Sequence, residues 1–136
     1  MSSEFIFYDY IDADSTGINI INDWLNGAGN QAKAHFNRMI DYLEASPPAG
    51  FQNSYWCSPF TWPLGGKWKG FTEIRKKVKR IQYRLICKVE DRNVFIVTWG
   101  FHKGNWETDI TPKTAKDRVA QMKDDPGKYR RFHDST

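Results

Sequence analysis

The stretch FTEIRKKVKRIQYRLICKVEDRNVFIVTWGF, residues 71–101, decides the fold. It divides into three strand-like runs, Phe71–Val78, Gln82–Glu90 and Val94–Phe101, rich in β-branched and aromatic residues. Glu90-Asp91-Arg92-Asn93 joins the last two as a hairpin turn. Val94-Phe95-Ile96-Val97-Thr98-Trp99 is apolar at nearly every position, as a central strand covered on both faces would be. Period-2 alternation puts Phe71, Glu73, Arg75 and Lys77 on one face. In the next run Arg84, Ile86 and Lys88 alternate against Tyr83, Leu85, Cys87 and Val89.

Working outward, Glu4–Tyr10 predicts a first strand. Ser15-Thr16-Gly17 is a turn with capping residues. Ile18, Ile21 and Leu25 then mark a short amphipathic helix ending at Asn26-Gly27. Asn30 stands where a cap belongs, and Ala32, Phe36, Met39, Ile40 and Leu43 form the apolar stripe of a second helix, stopped by Ser46-Pro47-Pro48. Residues 46–70 hold four of the six prolines and many aromatics, and read as a packed loop. Downstream, Thr111-Pro112 opens a final helix with buried positions Ala115, Val119 and Met122, and Asp125-Pro126-Gly127 ends it. The expected class is α+β, ordered β-α-α-β-β-β-α: a twisted, mainly antiparallel sheet with helices on one side. Residues 1–127 form one domain on this reading, and 128–136 a basic, flexible tail.

At 136 residues the chain has the length of one domain, and its mean hydropathy of −0.68 with 15% aromatics fits a globular protein. No apolar run predicts a membrane span, and MSSEFIFYDY lacks the features of a signal peptide. Two cysteines make neither a disulfide framework nor a zinc knuckle, so a cytoplasmic setting is expected. Charge divides unevenly. Residues 1–65 carry two basic and seven acidic side chains, net −5, whereas residues 66–136 carry 18 basic and nine acidic, net +9. Such asymmetry predicts a polyanion-facing surface in the C-terminal half.

Several chemistries are excluded by what is missing. Leu64-Gly65-Gly66-Lys67-Trp68 lacks the spacing of a phosphate-binding loop. His35, His102 and His133 have no ligand-spaced company, so neither a metal nor a cofactor is expected. No nucleophile elbow occurs. What is present is a cationic hairpin: Arg75, Lys76, Lys77, Lys79, Arg80 and Arg84 fall within ten residues. Arginines among apolar strand positions need an anion or an acidic partner, and Glu73 is an internal alternative to a bound one. Such a surface suits RNA phosphodiester chemistry, because guanidinium groups stabilise charge developing on the non-bridging oxygens. Candidates for the proton transfers are His102, Lys103, Glu73 and Tyr129. Lys67, Trp68 and Lys69 are a second basic-aromatic candidate for RNA, with Trp68 placed to stack on a base.

The runs 82–91 and 94–103, with Phe71-Thr72-Glu73-Ile74-Arg75 and the Thr111-Pro112-x-x-x-Ala115 helix, resemble the core of RelE-superfamily toxins, in particular the HigB-like, phage-derived branch. The resemblance covers residues 71–123 by motif and the N-terminal strand and helix pair by order. It implies a RelE-like fold and the toxin of a type II toxin–antitoxin system: a small metal-independent endoribonuclease. Such toxins usually cleave mRNA in the ribosomal A site by 2′-hydroxyl attack and are neutralised by a cognate antitoxin. On this resemblance Arg84 matches the arginine of the "Y-R" motif that stabilises the transition-state phosphate. Arg75 matches a basic position on the neighbouring strand, and Lys103 the basic position after the third strand. His102 is the adjacent proton carrier, and Lys76, Lys77, Lys79 and Arg80 extend the RNA-binding surface. The superfamily also contains ParE-like members that inhibit gyrase without cutting RNA, so a non-catalytic protein that acts by binding is the alternative.

Overall fold

The computed structural model describes residues 5–11, 19–45, 61–103, 105–108 and 110–132, with side chains described up to Gly100 and again from Ile110. Strand β1 (Ile6–Tyr10) leads into helices α1 (Ile20–Gly27) and α2 (Asn30–Ala45). Strands β2 (Trp62–Pro63), β3 (Thr72–Val78), β4 (Ile81–Glu90), β5 (Asn93–Lys103) and β6 (Asn105–Thr108) follow. Helix α3 (Pro112–Asp124) and strand β7 (Tyr129–Arg131) complete the order. The sheet runs β2-β3-β4-β5-β1-β7, with β6 added to β5. Only β1 and β5 pair in parallel; the other described pairs are antiparallel. The protein is therefore mixed α+β with a mostly antiparallel sheet and three described helices.

Local chemistry accounts for the helix boundaries. The Asn19 side chain accepts from the backbone N–H of Asn22 at 2.9 Å, capping α1, and its Nδ2 donates to Asp9 Oδ2 at 2.9 Å. That second bond ties the helix start to β1. The cap lies closer to the helix than the Ser15–Gly17 turn, which is outside the described residues. At the far end of α2 the buried Glu44 carboxylate accepts from Phe7 N–H at 3.0 Å, and its carbonyl accepts from Phe5 N–H. Thr111 caps α3 by accepting from Thr114 N–H, with Pro112 at the first helical position.

Helices cover both faces of the sheet, not one. Phe7, Ile21, Leu25, Phe36, Ile40, Leu43, Leu85 and Ile96 form the core beneath α1 and α2. On this face Trp24 of α1 stacks on Trp99 of β5, ring centroids 5.8 Å apart at 18°. A second core on the opposite face joins Ala115, Val119 and Met122 of α3 to Phe71, Ile86, Phe95 and Val97. The reason is the doubly apolar β5: alternate residues Val94 and Ile96 face the helix pair, while Phe95 and Val97 need a cover of their own. A register shift between β4 and β5 at Ile86/Cys87 leaves the carbonyl of Val97 free to accept from Arg118 of α3 at 2.7 Å.

The segment read as a tail also differs. Residues 129–131 form β7, an edge strand paired with β1, and the Ile11 N–H donates to the Lys128 carbonyl. Lys128 is buried, and Phe132 sits in the core beneath α1 and α2. Residues 133–136 lie outside the described residues. So do residues 46–60 of the aromatic loop; its last part contains β2 and a 3₁₀ turn, Gly66–Trp68.

Cys87 is buried in mid-strand, and burial reinforced by Asp9 pushes its thiol well above the ordinary range. It is an unreactive core residue. No described helix is long and apolar enough to cross a membrane, and no metal-type cluster of His, Cys, Asp and Glu occurs among the described residues.

Candidate functional site

Alternation along β3 sends Glu73 and Arg75 to the α3 side of the sheet and Ile74 to the helix-pair core. The β3–β4 register sets Arg75 opposite Arg84 and Glu73 opposite Ile86. Two arginines on one face of adjacent strands repel unless an anion lies between them. Glu73 is that anion. One guanidinium nitrogen of Arg84 donates to both Glu73 carboxylate oxygens, at 2.6 and 2.7 Å. Arg75 Nε lies 3.2 Å from Glu73 Oε1. The side chain of Glu73 is 3% exposed, that of Arg84 11% and that of Arg75 28%. Among the described residues two guanidiniums thus share one carboxylate, and the more accessible of the two is Arg75.

Trp62 completes the arrangement. The β2–β3 register sets it opposite Glu73, and its ring carries the Arg75 guanidinium at 3.7 Å from the centroid. Arg75 is thus fixed on one side by Glu73 and below by an indole. Burial lowers its pKa from the usual guanidinium value; Arg84 adds to this and Glu73 opposes it. In the sequence Trp62 is one of the many aromatics of residues 46–70. Its role depends on strand register, for which the dipeptide Trp62-Pro63 at a sheet edge was the one available sign.

Other residues expected at the site are dispersed. Lys76 alternates to the opposite face from Arg75, toward α2; Lys77 shares the Arg75 face. Lys79 and Arg80 form the turn between β3 and β4, with Lys79 at φ +58°. Lys67, Trp68 and Lys69 lie at the other end of β3, where Trp68 packs edge-on against Phe71 at 5.5 Å and partly joins the core. The basic residues of the hairpin therefore form several surfaces. The backbone of His102 pairs with Gln82 and Trp106, and that of Lys103 with Asn105. This places His102 two residues beyond Gly100, the partner of Arg84; the side chains of His102 and Lys103 lie outside the described residues. Tyr129 is in β7, remote from β3 in the strand order.

His35 of α2 lies behind the site. It makes a backbone hydrogen bond with Arg75, which raises its pKa, but burial and the charges of Lys76 and Arg38 together hold it below the ordinary 6.5. A histidine with a lowered folded-state pKa binds fewer protons folded than unfolded. Its contribution to stability is therefore complete above pH 6.5 and diminishes as pH falls through that value toward the folded pKa. Urea titrations between pH 7 and 5 are expected to show a fall in stability that is shallower in His35→Gln. Equal slopes in the two proteins would exclude His35 as its source.

Chemically, the cluster offers a fixed cation beside a carboxylate on an aromatic-backed sheet face, suited to holding one phosphate or carboxylate oxygen pair. No protein-family model, curated protein or solved structure matches the chain.

Proposed function

We propose that the chain is a RelE-superfamily-like toxin of a type II toxin–antitoxin system, acting in the cytoplasm as a metal-independent endoribonuclease on mRNA, either free or on the ribosome. A cognate antitoxin would neutralise it. The observation that supports this reading is the Glu73 carboxylate held between Arg75 and Arg84, with Arg75 lying on Trp62. A scissile phosphate entering from the solvent side meets Arg75 first and competes with Glu73 for its guanidinium. As the RNA 2′-hydroxyl attacks phosphorus, Arg75 and Arg84 stabilise the charge on the non-bridging oxygens, with Lys103 assisting. His102 carries a proton between the attacking and leaving oxygens.

The engagement of both Glu73 oxygens by Arg84 favours a second reading, in which the cluster is a structural clamp and the protein acts by occupying RNA or gyrase without cutting. The experiment compares inducible expression of wild type and Arg75→Ala, with primer extension on a reporter mRNA. The nuclease reading expects growth arrest with new RNA ends, reduced by about 10²–10³-fold in the variant. Arrest without new ends would establish the binding reading. Absence of arrest would overturn both.

A further inference from the structure

Two depressions flank α3, both apart from the arginine cluster. The first, about 270 Å³, has Phe71 and Val119 as its floor and is bordered by Lys69, Lys88, Lys116 and Glu90. The second, about 280 Å³, is walled by Tyr8, Phe95 and Tyr129 around Met122. Lys123 borders the second and lies 3.8 Å from Glu90 of the first, so this pair links them. Four lysines against one glutamate leave the joined path strongly cationic.

Its geometry is partly fixed in advance. The Lys88 ammonium donates to the Gly70 carbonyl at 3.1 Å. Gly70 has φ +96°, and a Cβ there would stand 3.3 Å from the same ammonium, so glycine suits both the turn and the lysine. In the second depression Tyr129 meets Tyr8 edge-to-face at 5.0 Å, and Tyr8 stacks on Phe95 at 5.9 Å. Both tyrosines are half-buried, with ring surface left over. Along β4, Arg84 and Lys88 share a face four residues apart, about 13 Å.

We infer that this path binds single-stranded nucleic acid, its phosphates on the lysines beside α3 and a base against Tyr8 and Tyr129. Cations alternating with aromatic surfaces are the recognition chemistry of a single strand. Each depression is below the roughly 300–1,000 Å³ of ordinary ligand pockets, of a size for one base. An acidic peptide would satisfy the lysines but would make no use of the tyrosine pair. The inference deepens the proposed function, whose substrate it describes as an unpaired strand leading from the arginine cluster toward α3.

The test is fluorescence anisotropy with a labelled single-stranded 2′-O-methyl RNA, which has no free 2′-hydroxyl and is not cleaved. The double variant K116Q/K123Q, with both changes at exposed positions, is expected to bind more weakly and to reduce the slope of log K against log salt by about 1.4. Tyr129→Leu should weaken binding about 10-fold. Unchanged affinity and slope in both, or equal competition by duplex RNA or polyglutamate, would overturn the inference. The two readings separate cleanly. Groove variants that lose affinity, in a wild type whose expression leaves the reporter mRNA intact, would keep the path and remove the nuclease. Groove variants that bind and cleave like wild type, beside an inactive Arg75→Ala, would do the reverse.

Discussion

Glu73→Ala is expected to lower the unfolding free energy by about 3–5 kcal/mol at neutral pH, measured by urea denaturation with circular dichroism. The side chain is almost fully buried and compensates Arg84, itself only 11% exposed. Removing the carboxylate takes from Arg84 the acceptor of two short hydrogen bonds and leaves a second guanidinium facing it across the strand pair. Most of the loss is the cost of keeping two guanidiniums close together and largely buried once the carboxylate between them is gone, not the net value of the ion pair. The double variant Glu73→Leu/Arg84→Met tests this distinction. An apolar pair of similar volume should recover much of the lost stability, because the desolvation of both charges disappears together. If the double variant is folded and still arrests growth, the cluster is a clamp. If it is folded and inert, the charges act on a ligand. A Glu73→Ala protein as stable as wild type would mean that the cluster does not hold the sheet.

The second large effect concerns the C-terminal segment. Truncation after Gly127 is expected to destabilise the protein by more than about 3 kcal/mol, the lower end for removing a buried phenylalanine. Phe132 is lost from the core beneath α1 and α2, and β1 loses its antiparallel neighbour along Tyr8–Tyr10. The contact of Tyr129 with Tyr8 goes as well. Phe132→Ala alone separates the contributions: it should account for most of the change if burial dominates, and for little if strand pairing does. A truncated protein that melts with wild type would show that residues 128–136 behave as a tail after all.

Particular residues show how far sequence patterning reaches. The alternation of Glu73 and Arg75 against Ile74, and of Arg84 and Ile86 against Leu85 and Cys87, was legible because a strand has an unambiguous period of two. Thr111-Pro112 marked the start of α3, since cap chemistry is local. The stripe Ala32, Phe36, Met39, Ile40, Leu43 is buried as its spacing requires. Tyr129–Arg131 was not legible. Its two arginines look solvated, and only the edge of β1, distant in sequence, gives the segment backbone partners. Trp62 failed for the same reason: a two-residue strand has no pattern. The basic run 75–84 looked like one surface because proximity in sequence conceals alternation and turns.

By itself, then, the sequence determined the periodic elements, their apolar faces, and the placing of Glu73 and Arg75 on one face of a strand in a cationic hairpin, since each depends on chemistry within a few residues. Tertiary structure alone decided that β1 pairs in parallel with β5, that helices cover both sides of the sheet, that β7 closes against β1, and that Glu73 and Trp62 fix Arg75. Those outcomes depend on strand register and on long-range burial, where residues tens of positions apart compete to cover the same apolar surface and to neutralise the same buried charge.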